Sequence, residues 1–319
     1  MIDQKQPDSR YTMSRSPARR RARVTSALTL ATLVILAAAI VACGDNGGSS
    51  PSSSTSATVT ETPTAGTSPS PSPSPSPSAT TTGTTRLSVY FLRGEYLGVA
   101  ERSVPRTKAV AAAALRELCA GPSTFEQEAG LSSAVPEGTE LRSVEIHDRV
   151  AAVDLSAEYA TGGGSLSVME RIAQVVYTVT QFPTVDAVTF SINGEPVTSL
   201  GGEGVVVSSP QSRADWVDLE PAIFVESPGV GAVLSSPFVL RGSASVFEAN
   251  FIADLLDAKG KRVVRSIMQA SVGAPERGTF RKSIEFSTTA EGGELAVYEV
   301  SMEDGSHLNE VRIPVIFAP

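Results

Sequence analysis

The sequence predicts two folded modules of different class, an α+β module with two helices on one face of a small sheet and then an all-β immunoglobulin-like sandwich. Three observations predict this order. A long stretch of Ser, Thr and Pro ends near residue 86, so the folded part begins there. Residues 86–200 alternate between helical and period-two spacing of apolar residues. Residues 222–319 keep only the period-two spacing of strands.

Residues 1–43 are predicted to be an export signal. Five arginines between residues 15 and 23 precede an uncharged run from Val24 to Cys43, which is the order of basic and apolar regions in such signals. The run ends at Ile40-Val41-Ala42-Cys43-Gly44, which resembles the lipobox of bacterial lipoproteins. By that resemblance, Cys43 is lipidated and becomes the mature N-terminus. The alternative is an uncleaved transmembrane anchor, because about 20 apolar residues are enough to span a bilayer.

Residues 44–85 are predicted to be a disordered stalk. Ser68 to Ser78 alternates Ser and Pro without a break, and almost all residues around it are Ser, Thr, Pro, Ala or Gly. Such a composition cannot bury a core, and proline at every second position favours an extended polyproline II chain. We expect the stalk to hold the folded part up to about 100 Å from the membrane.

The first module, residues 86–200, is predicted to follow the order strand, helix, two strands, helix, strand. Leu87–Leu92 has the pattern of a short strand. Pro105 is placed to open a helix, where its missing N–H costs nothing, and Gly121-Pro122 ends that helix. Cys119 is expected to be a small buried apolar residue, because no histidine lies near it in sequence to lower its pKa.

The rest of this module is predicted to contain a hairpin, a helix and a last strand. The predicted strands are Glu140–Ile146, Val150–Leu155 and Val188–Ile192. His147-Asp148-Arg149 joins the first two, and Asn193-Gly194 follows the third as a tight turn. Ser167 and Glu170 have the spacing of a capping box at the start of a helix that must end before Pro183.

Residues 201–221 are predicted to link the modules. The only tryptophan, Trp216, is expected to pack where the modules meet, and Val205 to Val207 are expected to add an edge strand to the first sheet. Because each module has its own apolar pattern, we expect the two to fold independently.

The second module, residues 222–319, shows five groups of alternating apolar residues. These groups are Phe238/Leu240, Phe251/Ala253/Leu255, Phe280/Ile284/Phe286, Leu295/Val297 and Val311/Ile313/Val315/Phe317. Turns are predicted at Lys259-Gly260, Glu291-Gly292-Gly293 and Asp304-Gly305-Ser306. About seven strands in roughly one hundred residues is the expectation for an immunoglobulin-like sandwich.

Both modules resemble known domain families. Ala134–Thr139, Val153–Ser156 and Ala173–Val185 look like the GerMN domain of sporulation and spore germination proteins. The second module resembles the immunoglobulin-like domain of bacterial spore germination proteins in Ser227-Pro228, Ser236–Phe238, Val246–Glu248, Gly278–Phe280 and Ser301–Ser306. The resemblance implies non-catalytic modules related to sporulation or germination machinery. Arg149 departs from the family pattern, in which a glycine often completes the hairpin.

The sequence offers few groups for catalysis or metal binding. It has two histidines, His147 and His307, and no nucleophile, phosphate-loop or paired-histidine motif. Gly162-Gly163-Gly164-Ser165 is interpreted as the lead into a helix rather than an oxyanion loop. Glu303-Asp304 and Asp257 are interpreted as solvated turn acids rather than calcium ligands. We predict no catalytic residue, no metal and no cofactor.

Charge and export narrow the function classes. After Cys43 the chain has 19 basic and 32 acidic residues, a net charge of −13, which disfavours nucleic acid and anionic lipid. The favoured function is a lipid-anchored, extracytoplasmic module pair that binds envelope or membrane proteins, or peptidoglycan. The alternatives are an envelope enzyme acting on peptidoglycan and a modulator of a membrane sensor in an organism that forms no spores. The expected contact surface is the open face or edge of the first sheet, at residues 185–192.

Overall fold

The computed structural model describes residues 83–318, which lie within one compact unit. The predicted export signal, its lipidation site Cys43 and all of the predicted stalk except residues 83–85 lie outside the described residues. Within residues 83–318, no helix is long and apolar enough to cross a membrane.

The first module has the predicted α+β class. Its elements are β1 (Thr84–Arg93), β2 (Tyr96–Pro105), α1 (Val110–Cys119), α2 (Thr124–Glu128), β3 (Leu141–His147), β4 (Val150–Leu155), α3 (Ser165–Val179), β5 (Ala187–Ile192) and β6 (Glu195–Pro196). β1 and β2 form an antiparallel hairpin, and the other strands form a sheet in the order β3-β4-β5-β6. The helices α1 and α3 pack on each other and on β1, and α1 also contacts β3. The helices therefore join two separate sheets.

The strand β2 replaces the predicted start of the first helix. Pro105 ends this strand, and α1 begins only at Val110. β2 lacks an alternating pattern because Leu97–Ala100 are all buried. The local feature that indicates the β1–β2 hairpin is the two-residue turn Gly94-Glu95. Gly94 has a φ of +65°, and glycine with positive φ is typical of tight hairpins.

The helix α3 is the central element of the first module. Almost every residue from Val168 to Val179 is buried. The predicted capping box of Ser167 and Glu170 is wrong, because the helix begins two residues earlier, at Ser165, without a side-chain cap from its N-cap residue. The N–H of Ser165 instead donates to the carboxylate of Glu203 over 3.1 Å. No local sequence pattern indicates a cap from so distant a residue.

Polar side chains at the C-terminal half of α3 bond the open edge of β1. Thr178 Oγ1 accepts the N–H of Tyr90 over 3.1 Å, and Gln174 Nε2 donates to the carbonyl of Tyr90 over 3.2 Å. Gln181, just beyond the helix, accepts the N–H of Ser88 and donates to its carbonyl. Because unpaired buried backbone groups are costly, these contacts fix β1 against the helix.

The β3–β4 hairpin turns through two residues with left-handed backbone. Asp148 and Arg149 have φ values of +48° and +65°, the pair of positive angles that a type I′ turn requires. Arg149 therefore adopts a conformation that favours glycine. Its guanidinium bonds the carboxylate of Asp186 over 2.5 Å, and its carbonyl accepts the N–H of Asp186. These bonds tie the turn to the start of β5.

Between the modules the chain forms a short hairpin and a 3₁₀ helix. β7 (Ser199–Leu200) pairs with β8 (Val205–Val206), so the valines form a sheet of their own and do not extend the first sheet as predicted. The 3₁₀ helix covers Arg213–Leu219 and contacts α3. Trp216 in this helix is only 8% exposed, so the segment is packed rather than a solvated linker.

The second module is a sandwich of two sheets, as predicted. Its strands are β9 (Ile223–Ser227), β10 (Val233–Leu234), β11 (Phe238–Ala244), β12 (Asn250–Asp257), β13 (Arg262–Gln269), β14 (Gly278–Ile284), β15 (Gly292–Val300) and β16 (His307–Phe317). One sheet has the order β10-β16-β15-β12-β13, and the other has the order β14-β11-β9. The predicted turn at Gly292-Gly293 is instead the start of β15. A Cβ atom on Gly293 would lie 1.9 Å from the carbonyl oxygen of Leu256, so glycine is required for β12 and β15 to pair.

The buried apolar residues of the two modules form one continuous cluster. Tyr90 and Tyr177 of the first module and Phe224 of the second are all buried within it. The modules therefore share buried apolar contacts and do not have two separate cores, while the expectation that each folds independently stays a prediction.

Candidate functional site

Three aromatic rings form the centre of the junction between the modules. The ring of Tyr90 lies 5.6 Å from that of Tyr177 and 6.2 Å from that of Phe224, centroid to centroid. Tyr177 meets Phe224 edge-on at 5.9 Å. Tilted and edge-on contacts at these distances are the favourable arrangements for aromatic pairs.

Arg213 joins the modules through a polar network beside these rings. Its guanidinium carbon lies 5.2 Å from the ring centroid of Tyr90 and 4.7 Å from that of Tyr177. It also bonds the carboxylate of Glu226, which in turn accepts from Arg241 over 2.8 Å. Burial alone would lower the pKa of Arg213, but Tyr90 and Glu226 outweigh burial and raise it. For the Tyr90 hydroxyl, burial acts in the opposite direction and raises the pKa to about 12.

A second ion pair closes the other side of the junction. The hydroxyl of Tyr177 donates to Glu220 over 2.6 Å, and Arg277 lies 3.2 Å from the same carboxylate. Arg277 also donates to the carbonyl of Pro221 over 3.0 Å. Burial, followed by the charge of Glu220, raises the pKa of Tyr177. The charged groups of this side therefore satisfy one another and hold the modules in place.

An open cleft of about 720 Å³ lies next to this network. One wall is the β1–β2 hairpin, with Arg93 and Tyr96 among its residues. The other lining residues include Val217, Asp218, residues 220–225, and Val311 and Ile313 of β16. Tyr96 is 47% exposed and Val217 is 38% exposed, so the cleft presents apolar surface to solvent. Burial lowers the pKa of Arg93, and Glu294 acts in the opposite direction.

The cysteine and histidines of the described part lie apart from this cleft. Burial raises the pKa of the Cys119 thiol to about 11, which leaves it protonated and a poor nucleophile at neutral pH. His147 is exposed in the β3–β4 hairpin, 3.6 Å from Glu145. His307 stacks on Tyr298 with the ring centroids 3.5 Å apart.

The acidic turn residues are placed for local hydrogen bonds. Among residues 83–318, no group of three or more His, Cys, Asp or Glu residues could hold a metal ion. Asp257 pairs with the start of β15, whereas Asp304 follows its end, so the length of the strand separates them. Each carboxylate accepts backbone N–H groups of its own turn. For Asp304, bonds from Ser306 and then Ser301 lower the pKa to about 2.

The Gly162-Gly163-Gly164-Ser165 loop is held by an arginine. Arg171 donates to the carbonyls of Tyr159, Thr161 and Gly162 over 2.7, 2.8 and 2.9 Å. Arg171 therefore ties the first residue of the loop and the segment just before it to α3.

Residues 185–192 do not form an exposed edge, so the predicted contact at a strand edge is wrong in its location, whereas a contact on the open face of the sheet stays a prediction. β5 lies between β4 and β6, and Val188 exchanges backbone hydrogen bonds of 2.9 and 2.8 Å with Gln211. The outer strands of that sheet are β3, where Ile146 is 39% exposed, and the two-residue β6. The cleft itself was not predicted, because its walls come from segments more than a hundred residues apart. The one local sequence feature that indicated this region was Trp216, which precedes Val217.

Two family models match the chain. Residues 88–198 match the family described as Germane, sporulation and spore germination. Residues 222–306 match the family described as Gmad2, immunoglobulin-like domain of bacterial spore germination. The comparison with curated proteins returned no match.

Several solved structures are also similar to the chain. The first GerMN domain of the sporulation protein GerM from Bacillus subtilis is 26% identical, with 42% of this chain and 100% of that chain covered and a TM-score of 0.37. The tandem GerMN domains of the same protein are 19% identical, with 65% and 63% covered and a TM-score of 0.38. A chain named as a candidate lipoprotein from Clostridium perfringens is 23% identical, with 46% and 98% covered and a TM-score of 0.32.

The two family matches cover the modules in the predicted order and confirm both predicted resemblances. The chain therefore joins a Germane domain of the sporulation and spore germination family to a Gmad2 immunoglobulin-like domain of bacterial spore germination.

Proposed function

We propose that the protein is a lipid-anchored, non-catalytic lipoprotein of the bacterial cell envelope that binds a protein partner through the cleft between its modules. The cleft is the observation that carries this proposal. Its volume of about 720 Å³ is in the range of ligand-binding clefts, which span roughly 300–1,000 Å³. Exposed Tyr96 and Val217 give it the apolar surface that a partner side chain would cover.

The rigid junction supports a binding role for this cleft. At the junction, Arg213 pairs with Glu226 and Arg277 pairs with Glu220. These ion pairs hold the residues that line the cleft in one arrangement. A preformed cleft loses less conformational entropy on binding than a mobile one. Cys119, whose thiol has a pKa raised by burial to about 11, does not line the cleft.

Site-specific photo-crosslinking tests the binding role. A photo-reactive residue at Tyr96 should yield a discrete protein adduct in intact cells, because this side chain points into the cleft. Ile316 is the matched control, since it is also 47% exposed but does not line the cleft. Equal adducts from both positions, or turnover of peptidoglycan fragments by the purified protein, would contradict the proposal.

The anchoring role depends on Cys43. Replacing Cys43 with Ala should abolish labelling of the protein by a fatty acid and change its electrophoretic mobility, because the thiol is the acceptor. Wild-type protein provides the control for expression and fractionation. A variant that keeps the wild-type mobility and is still released from membranes only by detergent would identify an uncleaved transmembrane anchor instead.

A further inference from the structure

Arg93 stands out among the arginines near the junction. Arg213 and Arg241 both pair with Glu226, and Arg277 pairs with Glu220. Within residues 83–318, by contrast, no carboxylate lies within 4.0 Å of the Arg93 guanidinium, and this group makes no hydrogen bond. Glu294, whose charge acts on Arg93, bonds Arg312 over 2.9 Å.

The lack of a hydrogen-bonding partner is unusual at the position of Arg93. It is the last residue of β1, pairs with Tyr96 across the two-residue turn, and is half-buried in the cleft wall. A guanidinium has five N–H donors in a planar fork, and those of Arg93 are open to solvent, since no atom of Arg93 is among the buried side-chain atoms without a partner in the described residues. A carboxylate is the acceptor that matches this fork with two parallel hydrogen bonds.

The surroundings of Arg93 narrow the ligand further. Tyr96 and Val217 are exposed apolar residues of the same cleft, and an apolar side chain of the ligand would remove both from water. Asp218 and Glu310 also line the cleft, and their negative charges disfavour an anionic group anywhere in it except beside Arg93. The cleft is therefore suited to one carboxylate beside one apolar group.

We propose that the cleft binds an extended segment of the protein partner that carries an acidic side chain next to a bulky apolar side chain, and that Arg93 receives the carboxylate. This inference rests on the proposed function and names the chemistry of the partner. The segment supplies the acceptor that Arg93 lacks, and its apolar side chain lies against Tyr96 and Val217.

Fluorescence of Trp216 provides a direct test on the full chain. Trp216 is the only tryptophan of the chain and precedes Val217 in the cleft wall. The probes are three acetylated tripeptides: Leu-Glu-Leu amide, Leu-Gln-Leu amide, and Leu-Gln-Leu with a free C-terminal carboxylate. We expect a saturable change with the Glu peptide and at least tenfold weaker binding of the Gln amide, because only the former offers a side-chain carboxylate to Arg93.

Variants locate the binding at Arg93. Arg93→Met should weaken binding of the Glu peptide at least tenfold, whereas Arg93→Lys should keep part of it. Arg281→Met is the matched control, because Arg281 is exposed on β14 and lies outside the cleft, and it should bind as the wild type does. The comparison of Glu and Gln peptides on wild-type protein holds even if Arg93→Met fails to fold.

Equal binding of the Glu and Gln amides, or binding of the free-terminus peptide alone, would overturn the inference. So would the absence of a saturable fluorescence change with the Glu peptide up to ~10 mM. Titration to that concentration detects a binding free energy as weak as about −3 kcal/mol. The proposed function is judged separately. If Tyr96 crosslinks a partner but the Glu peptide does not bind, the partner-binding role stands and the chemistry assigned to Arg93 fails.

Discussion

At the scale of single residues, Arg213 links the two modules. Its side chain contacts Tyr90 and Tyr177 of the first module and Glu226 of the second, and the Tyr90 hydroxyl itself donates to Glu226 over 3.1 Å. The Glu226 side chain is only 16% exposed, so removal of Arg213 would leave a poorly solvated carboxylate whose remaining partners are Arg241 and the hydroxyl of Tyr90. No local sequence pattern indicates this role of Arg213, because its three partners lie 13 or more positions away in the chain.

Replacing Arg213 with Met should therefore destabilise the protein by about 2 kcal/mol, since it breaks a largely buried ion pair and two cation–π contacts. The measurement is the urea midpoint of the full chain at neutral pH. Arg281→Met removes an exposed arginine and should stay within about 0.5 kcal/mol of the wild type. Equal midpoints for the two variants would show that Arg213 does not hold the junction.

At the scale of elements, the short helix α2 shows how charge supports the β1–β2 hairpin. Ser123 and Glu126 form a capping box at its start, and Arg102 of β2 bonds the same Glu126 over 2.9 Å. Burial alone would raise the pKa of Glu126, but the bonds from Arg102 and Ser123 outweigh burial and lower it. The folded state therefore favours the ionised form of this carboxylate.

The lowered pKa of Glu126 predicts a loss of stability in acid. Above the unfolded-state pKa of about 4.3, the ionised Glu126 contributes fully to the free energy of unfolding. This contribution is lost as the pH falls through the lower pKa of the folded state. Glu126→Gln should be less stable than the wild type at pH 7 and should lose less on acidification, so the two urea midpoints should converge below about pH 4. A difference that is independent of pH would contradict the assigned ion pair. Glu137→Gln, at an exposed site, provides the control.

The elements also show what local patterns can and cannot predict. The turns at Asp148-Arg149 and Asn193-Gly194 and the alternating strands of the sandwich follow from local spacing, and the structure confirms them. β2 was not predicted, because its buried run at Leu97–Ala100 does not alternate, and its last residue Pro105 was assigned to a helix start, which suits proline as well as a strand end does. The capping contact of Glu203 could not be predicted, since it joins residues 38 positions apart.

At the scale of the whole molecule, the two modules share one core and one cleft. The aromatic contact of Tyr90, Tyr177 and Phe224 and the ion pairs around it lie where the modules meet. The order of the modules and their fold classes were predicted from the sequence. Their junction and the cleft were not, because they depend on contacts between segments that the sequence places far apart.

Separating the modules should expose this shared surface. Fragments covering residues 86–203 and 219–319 each lose one side of the aromatic contact, and both lack Arg213. At least one of them should unfold without cooperativity and bind a hydrophobic dye, whereas the full chain should show a single cooperative transition. Two cooperative fragments whose stabilities together match the full chain would show that the shared core contributes little.

The central claim is that a partner binds in the cleft, and co-purification of the partner from cell envelopes with two matched variants tests it most directly. Val217→Arg fills the cleft with a charged side chain, and Ile146→Arg alters the outer strand β3 at a residue of nearly equal exposure, 39% against 38%. The account predicts that Val217→Arg loses the partner while Ile146→Arg retains it, with unchanged urea midpoints for both. Loss of the partner with Ile146→Arg and its retention with Val217→Arg would contradict the cleft and assign binding to the sheet edge.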